Sequence, residues 1–377
     1  MVLLSALWAH EAAADFITLV ASGSVAHDTN VFKRPDPIPD SVRTGSLGLR
    51  IDKAYSQQRF QLDATGSAYR HQDNPELDFD GLDYHATWLW SLTSRITGSL
   101  YTDRSEGQVP FIDFQRTVQN VRVSTTRGVN ADGLVGHGLH LIAGASRAEQ
   151  HSTTLFLAQP DFRVDYVQAG VKYVPSAGNS LSFVKRTGNG LYTKREFDPL
   201  VPLDTSYKQN ETEIRAEWLP SGRSNLLFRL TQFERRHEHL SQLDSSGNGG
   251  ELTFGWNATG KLSVTLSGKR DFVPFFDVQT THRVDKSLTV TPRWQVSPQI
   301  AYTLALQRIH SDFLGNLTTT TGDTREDTYS VADLGVFWAL TRNLTINAVV
   351  QRQRRSSNEP TAVFDATINR ISATLTF

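Results

Sequence analysis

Apolar and polar residues alternate along this chain with a period of two, and that alternation limits what it can fold into. The last stretch shows it plainly: Ile371, Ala373, Leu375 and Phe377 alternate with Ser372, Thr374 and Thr376. A period of two places one set on one face of a strand and the other on the opposite face. The pattern recurs in Leu262, Val264 and Leu266 against Ser263, Thr265 and Ser267, and in Leu344, Ile346 and Ala348 against Thr345 and Asn347. In Ile214, Ala216 and Trp218 the intervening residues are Glu213, Arg215 and Glu217, so a fully charged face backs an apolar one. A sheet with one wet face permits this, and so does a barrel with water inside.

The spacing between strands separates these two. Short connections fall at 52–56, 91–94, 136–138, 175–179, 220–224, 258–261, 297–299 and 341–343. Longer polar connections lie near 27–40, 70–81, 105–117, 150–161, 188–207, 236–248, 272–283, 311–326 and 355–363. Short and long alternate throughout, as they do in an outer-membrane barrel with tight periplasmic turns and long external loops. The count predicts an all-β, transmembrane, antiparallel up-and-down β-barrel of the bacterial outer membrane with about 18 strands, or 16 if two boundaries merge. Its closing strand is expected to seal against the first, near residues 16–26.

Aromatic placement agrees with this. Trp90, Trp218, Trp256, Trp294 and Trp338 each fall shortly before a short turn and on the apolar phase of their strands. Grouped at one end, and joined there by Phe377, they read as a membrane-interface girdle, where an amphipathic ring meets headgroups. Trp218, Trp256 and Trp294 recur at the spacing of one hairpin, an architectural repeat.

Composition sets further bounds. There is no cysteine among the 377 residues, so no disulfide framework and no thiolate metal site. Formal net charge is −1, so nothing suggests a nucleic-acid partner. Mean hydropathy is −0.35, and no apolar run is long enough for a membrane helix. A barrel tolerates such hydropathy because only alternate residues meet lipid. Residues 1–14 read as the remnant of a secretion signal, with an apolar core at 2–8 and small residues at Ala12, Ala13 and Ala14. Residues 15–377 then form a single outer-membrane barrel.

Chemistry-bearing motifs are sparse. His237 and His239 form an H-x-H pair with Glu238 and Asp244 nearby, but no third ligand stands at a metal spacing. The acidic run His71 to Asp83 lacks the register of a calcium loop. It reads as a solvated external loop, able to bridge through divalent cations to lipopolysaccharide phosphates. No G-x-S-x-G elbow, H-E-x-x-H pair or phosphate-cradling glycine loop occurs. Neither an enzyme, nor a cofactor, nor a metal is expected.

Function is expected on the inward phase, where Arg50, Asp63, His85, Glu213, Arg215, Glu217, Arg229, Lys269, Arg293 and Arg370 are the lumen-lining candidates. Charges of both signs argue against a strongly ion-selective pore and suit a hydrogen-bonding solute such as a sugar chain. The connections at 188–207 and 311–326 are long enough to constrict the lumen.

Several stretches resemble the EpsL family of outer-membrane proteins. They are HDTNVFKRP (27–35), KAYSQQRFQLDATGSAYRHQDNPELDFDGLDYHATWLW (53–90), AGVKYVPSAGNSLSFVKRTGNG (169–190), RRHEHLSQLDSSG (235–247) and NATGKLSVTLSGKRD (257–271). Similarity runs from about residue 16 to the end. That family accompanies exopolysaccharide-biosynthesis and exosortase loci in Gram-negative bacteria and is described as porin-like. The resemblance implies export or assembly of an extracellular polysaccharide, and it carries no established functional residues. Three functions follow as expectations: a passive conduit for a polysaccharide chain, a general or sugar-selective porin, or a structural component of the secretion machinery. The partners expected are outer-membrane lipid and lipopolysaccharide, the polysaccharide chain, the barrel-assembly machinery through the C-terminal strand, and periplasmic export proteins.

Overall fold

The computed structural model describes residues 16–377 apart from 114–115, 155–158, 177, 197–202, 276–279 and 316–323. The leader expected at 1–14 lies outside the described residues. Among the described residues eighteen strands make one sheet. They are β1 (Ile17–Asp28), β2 (Asp40–Tyr55), β3 (Gln58–His71), β4 (Phe79–Thr93), β5 (Ile96–Gln108), β6 (Val121–Gly136), β7 (Leu139–Ser152), β8 (Phe162–Ser176) and β9 (Asn179–Tyr192). The remainder are β10 (Ser206–Ser221), β11 (Ser224–His237), β12 (Ser245–Asn257), β13 (Leu262–Pro274), β14 (His282–Gln295), β15 (Ile300–Leu314), β16 (Glu326–Ala339), β17 (Leu344–Ser357) and β18 (Phe364–Thr376).

Each strand pairs antiparallel with its sequence neighbours, and β1 pairs with β18, so no edge is left open. The seam runs from Val20 opposite Thr376 to Asp28 opposite Ile368. Phe377 completes it by exchanging backbone hydrogen bonds with Leu19, at 2.9 and 3.2 Å. The first strand thus begins at Ile17 and extends past the expected end at residue 26.

The short turns share a local device. Thr93, Thr259, Ser297 and Thr341 each accept, on the side-chain hydroxyl, the backbone amides two and three residues ahead. Such a hydroxyl turn reverses the chain without a special backbone angle. The turn at 136–138 works differently, with His137 at φ 50° and Gly138 at φ 77°. A Cβ on Gly138 would sit 2.3 Å from the Val174 carbonyl oxygen, so this position requires glycine.

Register fixes which side chains share a face. Leu49 lies opposite Leu19 and Ala64, and Ile371 lies opposite Val25 and Ala348. This apolar phase is the outer wall: Leu47 is 73 % exposed and Ile371 64 %. An exposed apolar wall of this extent is stable only against lipid. With closure and strand number, it makes the molecule an outer-membrane β-barrel. Among the described residues no helix is long and apolar enough to cross a membrane.

The long connections are held by buried aspartates. Asp40, at the start of β2, accepts from the amides of Ser41, Gln72 and Asp73, from the Asn74 side chain and from His71. Asp204 does the same eight strands on, with the amides of Thr205, His239 and Leu240 and the His239 ring. Each clasp holds a short 3-10 turn, Pro75–Leu77 or Ser241–Leu243, whose leucine is buried. In both, a histidine amide donates to the aspartate that follows the turn, His71 to Asp78 and His237 to Asp244. The runs HQDNPELD and HEHLSQLD are therefore two copies of one loop clasp.

Candidate functional site, a channel crossed by a loop

All ten inward candidates lie on the phase opposite to the exposed leucines. Arg50, Asp63, His85 and Asp103 are successive register partners across β2 to β5. Arg215, Arg229, Glu251 and Lys269 form a second such row across β10 to β13. Most of these charges meet a partner: Arg50 with Asp63 at 3.0 Å, Arg215 with Glu217 at 2.6 Å, Arg229 with Glu251 at 2.9 Å and Lys269 with Asp271 at 2.6 Å. His85 bonds Asp103 and, at 3.0 Å, the Thr87 hydroxyl. Arg293 reaches Gln295 at 3.5 Å and stacks over Phe337. Glu213 and Arg370 sit on the same inward phase, opposite Thr231 and Val349. The inner wall is thus a set of balanced pairs, none of them drawn together around one point.

Among the described residues, the segment that reaches across the bore is one the sequence does not mark by length. The connection between β5 and β6, residues 109–120, turns into the barrel. Its base is closed by the Val109 amide bonding the Asn120 carbonyl at 2.8 Å. Val109 and Phe111 pack with Val31, Phe32 and Leu77 from the first two long connections, and the rings of Phe32 and Phe111 meet edge to face at 5.0 Å. Beyond this cluster, Asp113 pairs with Arg283 of β14 at 3.0 Å, and the Ile112 carbonyl accepts from Arg355 of β17 at 2.6 Å. β14 stands half the circumference away from β5, so the segment spans the bore. Arg283 also binds Asp285 at 2.9 Å, and Arg325 binds Asp327 at 2.6 Å. The rings of Phe275 and Phe313 lie beneath Arg283, and Arg325 covers Phe313. The crossing is therefore lined by arginine, aspartate and aromatic faces.

Residues 197–202 and 316–323, central to the two connections expected to constrict, lie outside the described residues. Of the described connections, the one that reaches another wall is 109–120 instead. A signal for it exists in Val109-Pro110-Phe111-Ile112, an apolar run inside an otherwise polar connection. A connection that stays in solvent gains nothing from such a run.

The girdle candidates Trp218, Trp256, Trp294, Trp338 and Phe377 are exposed on the outer wall at the short-turn end. Trp90 shares that phase but lies flat on its register partner Gly98, where a Cβ would come within 2.2 Å of the ring. His237 and His239 part company. His237 packs beside Tyr192 and Tyr207, whereas His239 bonds Asp204 at 3.0 Å.

The Asp204 clasp is expected to respond to pH. Burial pushes the Asp204 carboxyl up, but the His239 ring and the amides around it outweigh burial and hold it below the usual carboxylate range. The hydrogen bond to Asp204 raises His239 above its ordinary 6.5. A raised histidine contributes fully below its unfolded value and loses that contribution as pH rises through its folded one. The carboxylate contributes above 3.8 and loses its contribution as pH falls through the depressed value. The clasp is therefore tightest from about pH 4 to 6.5. Hydrogen exchange at the Leu240 amide, corrected for intrinsic rate, should accelerate above that window. His239→Gln should remove this pH dependence. Asp204→Asn should speed exchange about tenfold at neutral pH, because one carboxylate oxygen is replaced by an NH2 donor that cannot accept and the charge is lost.

No family model matches the sequence, and no curated protein matches it. Solved structures do. OpdK of Pseudomonas aeruginosa, crystallised with vanillate, superposes with a TM-score of 0.54 at 13% identity, covering 96% of this chain and 99% of that one. OccK2 (OpdF) of the same organism, in complex with glucuronate, gives 0.53 at 16% identity, covering 96% of each chain. OccAB3 of Acinetobacter baumannii gives 0.54 at 12% identity, covering 96% and 98%. At such identities the likeness establishes a shared barrel fold.

Proposed function

We propose that the protein is an outer-membrane channel for small, hydrogen-bonding solutes, narrowed by the inward segment 109–120. In this reading the long connections face outside, and the short turns with their tryptophan girdle face the periplasm. The observation that carries it is the span of that segment from β5 to Arg283 and Arg355 on the far wall. A wide conduit for a polymer has no use for a strut across its bore. A channel that selects among small solutes needs one, because discrimination requires contact. The balanced inner wall supports weak ion selectivity and hydrogen bonding to hydroxyl-rich cargo. OpdK holding vanillate and OccK2 holding glucuronate make small carboxylates sensible probes. The polysaccharide-export reading is supported by the EpsL resemblance alone, and it requires 109–120 to swing clear.

Reconstitution into planar bilayers tests this. We expect discrete conductance steps with a cation-to-anion permeability ratio near unity, and brief closures when a uronic acid is added. Vesicles carrying the barrel should swell in monosaccharides and not in polymeric dextran. A barrel that conducts nothing above bare bilayer overturns the channel reading. A deletion strain that loses surface polysaccharide while keeping small-sugar uptake favours export instead.

A further inference from the structure

The outer wall carries a basic groove that neither the barrel fold nor solute passage explains. On β14 to β17 the lipid-facing phase is apolar from Trp338 upward, through Leu334, Leu304 and Val350, each well exposed. It then changes character across three adjacent strands. Arg308, Ser330 and Arg354 are register partners in one row, and Arg352 lies opposite Ala332 in the row below. Between Leu288, Leu306 and these arginines runs a groove of about 420 Å³, floored by Ser330 and Ala332.

Its charge is only partly neutralised by the protein. Asp365 lies opposite Arg354 in register but pairs with Arg352, at 3.2 Å. Lys286 and His310, the next cations above, share Asp312. Among the described residues Arg308 and Arg354 hold no salt bridge, and both are exposed. Depth matters here. Ser330 lies about 26 Å along β16 from Trp338, or roughly 20 Å along the axis at a tilt near 40°. That is well above the middle of an apolar band about 25 Å tall, toward the interface, where the cost of a lipid-facing arginine declines.

We propose that this groove binds the phosphorylated, acylated glycolipid of the outer leaflet, lipopolysaccharide. An acyl chain lies over Ala332 between Leu288, Leu306 and Val350, and the phosphates meet Arg308 and Arg354. Guanidinium groups bind phosphate with paired, charge-assisted hydrogen bonds. The two arginines stand two strands apart, about 10 Å, which suits a headgroup with separated phosphates better than a single phosphodiester. The inference rests on the long connections facing outside, and it is independent of whether the bore conducts.

The full-length barrel in detergent can be titrated with lipopolysaccharide, the same glycolipid dephosphorylated, phosphatidylglycerol and inorganic phosphate, read by native mass spectrometry. A saturable adduct is expected with intact lipopolysaccharide. Its affinity should fall about tenfold for each of Arg308→Gln and Arg354→Gln. Ala332→Trp keeps every charge but fills the groove, and should weaken binding to a similar degree. The gel migration of the folded barrel controls for folding, and Ala332→Trp carries the test if the arginine variants fail to fold. An undiminished adduct in the variants overturns the site. Equal binding of the dephosphorylated form overturns the role of the arginines. Equal binding of phosphatidylglycerol, or displacement by inorganic phosphate at matched concentration, overturns the assignment to glycolipid. A barrel that binds as expected yet conducts nothing would leave this inference intact and sink only the channel reading.

Discussion

Excising residues 110–119 and joining the ends with a short glycine-serine linker should raise single-channel conductance several-fold. Of the described connections, this is the one seen to bridge opposite walls, so its removal widens the bore where resistance is concentrated. The barrel itself should survive, because the strand ladder on both sides is complete without the segment. What is lost is the apolar cluster of Val109 and Phe111 with Phe32 and Leu77, and the contacts of Asp113 and Ile112 with Arg283 and Arg355. Arg283→Ala is the finer version. It removes one of the two distant anchors while Arg355 and the apolar cluster stay, so the segment's tip should loosen at a cost of about 1–3 kcal/mol. Conductance should then become noisy, with brief transitions to a wider state, and its mean should rise less than on excision. An excised barrel with unchanged conductance would falsify the view that 109–120 sets the constriction.

How much of this was legible beforehand follows from which interactions are local. Strand phase was readable because lipid and water select alternate residues, as in Leu252, Phe254 and Trp256. The turns were readable because short and long connections alternate, although the hydroxyl device of Thr93, Thr259 and Thr341 emerged only with the hydrogen bonds. The path of 109–120 was not readable from length. The connections at 188–207 and 311–326 looked longer, whereas what pulls a connection inward is a partner. For Asp113 that partner is 170 residues away, and for Ile112 it is 243. No periodicity encodes such a pairing. The apolar run Val109 to Ile112 gave the local half of the signal, and Arg283 and Arg355 gave the other half only once closure had brought β14 opposite β5 and β17 six strands from it. The clasp aspartates were hidden for a related reason. Asp40 and Asp204 resemble ordinary loop residues until the next hairpin supplies their donors.

Leu334→Arg should destabilise the barrel in lipid vesicles by about 2–4 kcal/mol, whereas Val331→Arg should cost little. Both substitutions fall on β16, and what differs is phase. Leu334 has Leu304 and Val350 as register partners and is 54 % exposed on the outer wall. From Trp338 it lies about 13 Å along the strand, or roughly 10 Å along the axis, close to the middle of the apolar band. A guanidinium there cannot easily reach either interface. Val331 has Gln307 and Gln353 as partners and faces the polar interior, where an added arginine meets water and hydrogen-bond acceptors. Equilibrium denaturant titration in thin-bilayer vesicles reads the difference directly. The comparison also separates a membrane barrel from any water-soluble one, because in a soluble barrel the outer wall is the wet side and the order of the two costs would reverse. Arg308 and Arg354, natural arginines level with Ser330 on the outer wall of the flanking strands, fit the same rule, since they lie higher up, where the penalty declines. Moving one cation from their level to that of Leu334 is therefore the sharpest measure of where the bilayer sits on this wall.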